Sequence, residues 1–299
     1  MELARRNAGR LRERMEQKRM NEWNDDEHSP QSPIAYYLYC LADPKRLSAV
    51  HGVGVDGINP LFLRSMTDIV ALLSKVELKE FCGPDAEQRM QELAWIGPRT
   101  CRHEKIVEQA MRYSPVLPAR FATLFSSLEK LEAFLKENQD ALSKSLALLA
   151  NKEEWAIKGL LNRARAKEAL ADELSAAEDA SSAALSPGVR YLREKQIRTE
   201  ADNRLKIWLR NICSQIAAEL GEYVSDFSER SVISLGETDH STDTILNWAF
   251  LVPNHAVAAF CAHVERANAE QAQRGLVLAL SGPWPPYSFC PSLAAEAGA

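Results

Sequence analysis

Cys101-Arg-His103-Glu104 brings together the residue types from which a thiol nucleophile and its base are built. On a helix, residues two apart point roughly 200° away from each other, so thiol and imidazole cannot hydrogen-bond. The expected role of His103 is a capped or core-edge histidine. Cys261 and His263 fail as metal ligands for the same reason, and His255 stands two turns from His263. The glycine-rich run from His51 to Gly57 lacks both the lysine of a phosphate loop and the full dinucleotide-binding spacing, and reads as a plain turn-rich loop. Basic segments at 158–167 and 190–210 are interleaved with Glu168, Glu194, Glu200 and Asp202, the pattern of a solvated helix face. No catalytic, metal-binding or cofactor-binding residue is expected.

Arg120 has a different standing. It lies in Val116-Leu-Pro-Ala-Arg-Phe121, an apolar run that reads as a buried strand. Alternation puts Leu117, Ala119 and Phe121 on one face and Val116, Pro118 and Arg120 on the other, where an unpaired guanidinium is costly. A partner is expected at Glu153 or Glu154, clamping two domains. At the other end of the chain, Leu276–Leu280 is an apolar run between Gly275 and Gly282 and reads as a strand covered on both faces. Pro283, Pro285 and Pro286 end its ladder, and Trp284, Tyr287 and Phe289 give the tail three large anchors.

The elements that must position these residues fall into two sets. The chain has 299 residues, 46% of them apolar, enough for about two cores. A net charge of −5 argues against a dedicated nucleic-acid binder. Six dispersed cysteines without a Cys-x-x-Cys read as reduced thiols, and no run is long and apolar enough for a membrane span, so a cytoplasmic protein is expected.

Residues 1–32 read as a charged, flexible arm. An N-terminal domain over 33–125 runs strand, Gly-rich loop, two strands at 60–66 and 69–76, a helical stretch over 85–113 that Pro98 must break or kink, and the strand at Val116. Ser126-Ser-Leu-Glu129 is a capping box opening one bridging helix over 126–150. The C-terminal domain, 151–290, starts with a strand at 153–161 and sends out a helical hairpin over about 163–220, whose second arm opens at Ser186-Pro187. Strands at 223–235 and 244–252, a helix capped by Asn254 and the Gly275 strand follow, and 291–299 is a tail. The fold class is α+β in two domains: the C-terminal half has the split βαβ order of ferredoxin-like domains, and the N-terminal half approximates it with one degenerate connection.

In this order the segments resemble the gas vesicle protein GvpF/GvpL family. They are Tyr36-Tyr-Leu-Tyr39; Trp95 with Pro98-Arg99 and His103-Glu104; Val116 through Phe125; Glu154-Trp155 with Lys158; Tyr191-Leu192 with Lys195; and Gly282 through Phe289. Members commonly carry glycine where this chain has Ala122. The resemblance implies a modified ferredoxin-like N-terminal domain and an α+β C-terminal domain with a helical hairpin. It also implies a non-enzymatic accessory protein of gas vesicles, associated with the shell protein GvpA and other accessory proteins, and no cofactor. The expected function is chaperone or nucleator of shell subunits, the alternative a minor shell component. A Cys/His enzyme using Cys101 or His103 is the reading from another class. The interaction candidates are Arg120, Glu154, Trp155, Trp284, Pro285, Tyr287 and Phe289.

Overall fold

A computed structural model describes residues 33–178, 187–232 and 242–291, so the N-terminal arm, Ser186 and the end of the tail lie outside the described residues. Two units follow from the packing, one of residues up to Ala150 together with those from Pro285, the other from Asn151 to Trp284.

The first unit is built on β1 (Ile34–Ala42), β2 (Leu61–Met66), β3 (Ile69–Glu77), β4 (Val116–Pro118) and β5 (Leu124–Phe125), in the order β2-β3-β1-β4 with β5 also on β1. Every pairing is antiparallel. This is the ferredoxin-like order, with a loop where the first crossover helix belongs. The loop's polar backbone is satisfied by side chains of the body: Tyr39 Oη accepts from Val55 N at 2.6 Å and meets Ser74 Oγ at 2.8 Å, and Arg102 donates to Val55 O at 2.7 Å. Gly54 is required there, because a Cβ would lie 2.8 Å from Tyr39 Oη and collide with Ser74.

Helices cover both faces of this sheet. Tyr37, Tyr39, Val70, Leu72 and Val76 pack against Ile106, Val107 and Ala110, under α1 (Leu78–Phe81), α2 (Pro84–Gln91) and α3 (Leu93–Met111). A bulge between Leu38 and Cys40 sets Tyr39 and Cys40 on that same face. On the other face Leu38, Leu73 and Leu117 are buried, as are Leu131, Leu135, Leu142 and Leu146 of α4 (Leu128–Glu137) and α5 (Gln139–Leu149). The expected single bridging helix is therefore two helices, parted at Asn138 and belonging to this unit. Its cap is Ser127, which accepts from Lys130 N, one residue later than expected. Pro98 sits inside α3, and the break falls instead at Glu92. The Val116 strand stops at Pro118, which leaves Arg120 exposed rather than buried.

The second unit contains β6 (Lys152–Leu161), α6 (Arg163–Glu178), α7 (Pro187–Gly221), β7 (Asp226–Glu229), β8 (Asp243–Pro253), α8 (Val257–Ala272) and β9 (Leu276–Trp284). Its antiparallel sheet runs β7-β8-β6-β9, the same order as the first, with the α6–α7 hairpin as the first crossover. The 35 residues of α7 span about 52 Å. Leu205, Ile212 and Ile216 of α7 and Phe260 and Val264 of α8 bury against Ile157, Trp248, Phe250 and Leu278.

Three expectations change here. Asn254 opens a short 3-10 turn ahead of α8 and makes no side-chain cap. The strand expected over 223–235 is ordered as a ladder only at Asp226–Glu229, and 233–235 lie outside the described residues. Leu276 and Leu278 are buried while Val277 is 43% exposed, so β9 is an edge strand covered on one face.

Candidate functional site

The Gly-Pro-rich close of the chain leaves the second unit at Trp284, and Pro285 begins the segment that belongs to the first. Pro285 and Pro286 are buried, and bonds from Tyr287 N to Pro285 O (2.7 Å) and Phe289 N to Pro286 O (3.1 Å) curl the tail into tight turns. This curl carries Tyr287 to α3. Its hydroxyl donates to Glu104 Oε1 at 2.9 Å and lies 3.2 Å from His103 Nε2.

His103, 1% exposed, is the hub. Nε2 lies 3.1 Å from Ala119 O, a carbonyl that only accepts, so this nitrogen carries the proton. Nδ1 must then accept, and Tyr37 donates to it at 3.0 Å while its own oxygen takes Ala122 N–H at 3.0 Å. Burial holds the imidazole neutral, pushing its pKa from 6.5 down to about 4. Burial also raises Glu104, against the opposing effect of the Tyr287 hydrogen bond. Tyr37 is raised by burial, and Tyr287 by burial and by the nearby Glu104. Rings of Tyr37, Tyr39, Phe81, Phe121 and Trp95 enclose the hub, with centroids 4.8–6.3 Å apart.

In the second unit His263 is saturated in the same way. Arg266 donates to Nδ1 at 2.6 Å, so Nε2 carries the proton to Glu219 at 2.7 Å, pinning α8 to α7. Gln215 and His263 together hold the Glu219 carboxyl below its ordinary range. Neither imidazole has a free lone pair to act as a base. Cys101 is exposed on α3 while His103 points inward, as their spacing requires. The Cys40 thiol is pushed up to about 12 by burial. Among the described residues no three His, Cys, Asp or Glu side chains converge to hold a metal ion, and no helix is long and apolar enough to cross a membrane.

The interaction candidates scatter. Tyr287, Phe289 and Pro285 share the tail, whereas Trp284 ends β9, 40% exposed, with Nε1 donating to Ser281 Oγ at 3.1 Å. Trp155 is half-buried on β6 and donates to Glu153 at 3.0 Å. Its neighbour Glu154 is 1% exposed and ion-paired with Arg230, a residue that sequence reasoning did not consider. Arg120, the expected clamp, carries its guanidinium on the surface. The hub's other members, Tyr37 and Ala119, were readable only as core, since nothing local in the sequence marks their pairing with His103.

A family model for gas vesicle synthesis proteins GvpL/GvpF matches residues 35–291. Gas vesicle protein L1 of Halobacterium salinarum is 26% identical over 274 residues, covering 86% of this chain and 90% of that protein. Gas vesicle protein L of a Streptomyces species is 25% identical over 259 residues, covering 85% and 91%. Among solved structures, GvpF from Anabaena superimposes with a TM-score of 0.62 at 20% identity over 86% of this chain and 96% of that one. GvpF from Microcystis aeruginosa gives 0.58 at 19% identity, covering 85% and 98%.

Proposed function

Because the chain belongs to the gas vesicle GvpL/GvpF family, its role lies with gas vesicles, and we propose that it escorts the shell protein GvpA before assembly. The family match over residues 35–291 carries this reading, since it spans both units. Physical reasoning supplies the task. A gas vesicle wall excludes water from its interior, so its subunit presents an apolar face and strand edges that pair with copies of itself. Before assembly such a subunit aggregates unless another protein covers it.

Two open antiparallel sheets, each with helices on it and edges left at its ends, suit that task. The work is binding rather than chemistry, in keeping with buried histidines whose nitrogens are all engaged. The protein acts in the cytoplasm, on or near growing vesicles, together with other accessory proteins. The test is co-expression of affinity-tagged protein with GvpA, measuring soluble GvpA and its recovery with the tag. Co-recovery that raises soluble GvpA is expected; insoluble GvpA with nothing co-purifying overturns direct escort. Stoichiometric retention in washed vesicles would make the protein a minor shell component instead.

A further inference from the structure

Four strands end the two sheets, and three of them are blunted. β4 is three residues long and finishes in Pro118, which has no N–H to offer. On β9, the outward N–H of Leu278 is taken by the Asn268 side chain of α8 at 2.9 Å. On β7, the N–H of Phe227 is taken by the Asp226 carboxylate at 2.8 Å. Such seals stop an edge from recruiting a foreign strand.

β2 differs. Met66 pairs with Ile69 across a two-residue turn, so residues 66, 64 and 62 bond inward to β3 and residues 61, 63 and 65 face outward. Leu61 N–H is closed by Gly52 O at 3.0 Å. Among the described residues, the main-chain N–H groups of Leu63 and Ser65 meet no such acceptor. Both faces beside this edge are partly apolar: Leu61 and Leu63 join the core under α3, while Phe62 stacks edge-on to Tyr36 at 6.2 Å on the opposite side. Arg64, bonded to Glu132 at 2.7 Å, contributes a half-exposed cation.

We infer that the β2 edge is the docking line for an extended strand of the shell subunit, one with apolar residues on both faces and no cation opposite Arg64. The inference rests on the escort reading above and names its surface. The occupant adds a strand beside β2, satisfying Leu63 and Ser65 and extending both apolar faces. Sealing of β7 and β9 keeps the second unit out of that pairing.

The test replaces Ser65→Pro, which removes an outward N–H and leaves the β2–β3 bonds in place. With fold confirmed by circular dichroism, GvpA recovered per tagged protein should fall about five- to tenfold, the loss of one backbone hydrogen bond. Undiminished recovery overturns the inference while the escort reading stands; absence of GvpA with the unaltered protein overturns both. Amide exchange on the unaltered protein decides the matter should Ser65→Pro not fold. Leu63 and Ser65 should become protected when GvpA is bound, and unchanged exchange rejects the site. Protection of these amides by protein concentration alone assigns the edge to a second copy and also overturns it.

Discussion

Acid should loosen the first unit through His103, by an amount the geometry sets. The imidazole is neutral in the fold, its pKa pushed from 6.5 to about 4 because a charged ring would be buried at 1% exposure. Protonation would also put a proton on Nδ1, where Tyr37 now donates, costing the Tyr37 hydroxyl its acceptor. A depressed pKa means that the unfolded chain binds the proton first. Stability is therefore full above pH 6.5 and is lost as pH falls toward the folded value. At about 1.36 kcal/mol per pH unit, the loss is about 2 kcal/mol by pH 5 and about 3 kcal/mol by pH 4. Glu104 works in the opposite sense, since its raised pKa makes acid favourable to the fold, so the comparison must be with a variant that keeps Glu104. His103→Gln serves, retaining a donor and an acceptor without the charge. The assay is amide exchange at β1 residues over pH 4 to 7, which reports this unit apart from the other. The stability of wild type relative to His103→Gln should fall by about 3 kcal/mol across that range. A pH-independent difference, or a His103 ring resonance titrating near 6.5, would refute the reasoning.

Three further outcomes follow from single contacts. Ala122 holds φ at 63°, where a Cβ costs roughly 1–2 kcal/mol, so Ala122→Gly should stabilise by about 0.5–1 kcal/mol net of the glycine's own entropy, measured as a rise in midpoint denaturant concentration. Tyr287→Phe removes the bond to Glu104 and should cost about 1–2 kcal/mol, seen as faster exchange along α3; an unchanged profile would mean that the tail is held by packing alone. Arg230→Ala withdraws a cation from buried Glu154 and should cost at least about 2 kcal/mol, whereas Arg120→Ala should stay within about 0.5 kcal/mol; equal costs in urea titration would return the clamp to Arg120.

Much of the architecture was legible along the chain because it depends on local patterns. Alternation and turn residues marked β1, β2, β3, β6 and β8, helical spacing marked α3, α7 and α8, and their order alone selected a two-part α+β fold. Where propensity met packing, packing decided. Leu131 through Leu149 carry one continuous helical stripe, yet Asn138 breaks it, and the two pieces lie on the first unit's own sheet. Leu276–Leu280 read as doubly covered because an apolar run does not say how many neighbours it has; at a sheet's end one face stays open.

The site divides the same way. Sequence by itself determined that Cys101 and His103 could not act together, because helical geometry is a property of neighbours in the chain. It also placed Tyr287 among anchoring residues, since proline-rich segments with aromatics must pack. Only tertiary structure decided what each group touches. His103 and Tyr287 are 184 residues apart, Glu154 and Arg230 76, and pairings at such separations depend on strand order and register rather than local pattern. The same holds for the sheet edges: whether an N–H faces a neighbour, a sealing side chain or nothing at all is a fact of three dimensions, settled when β2 took the outside place.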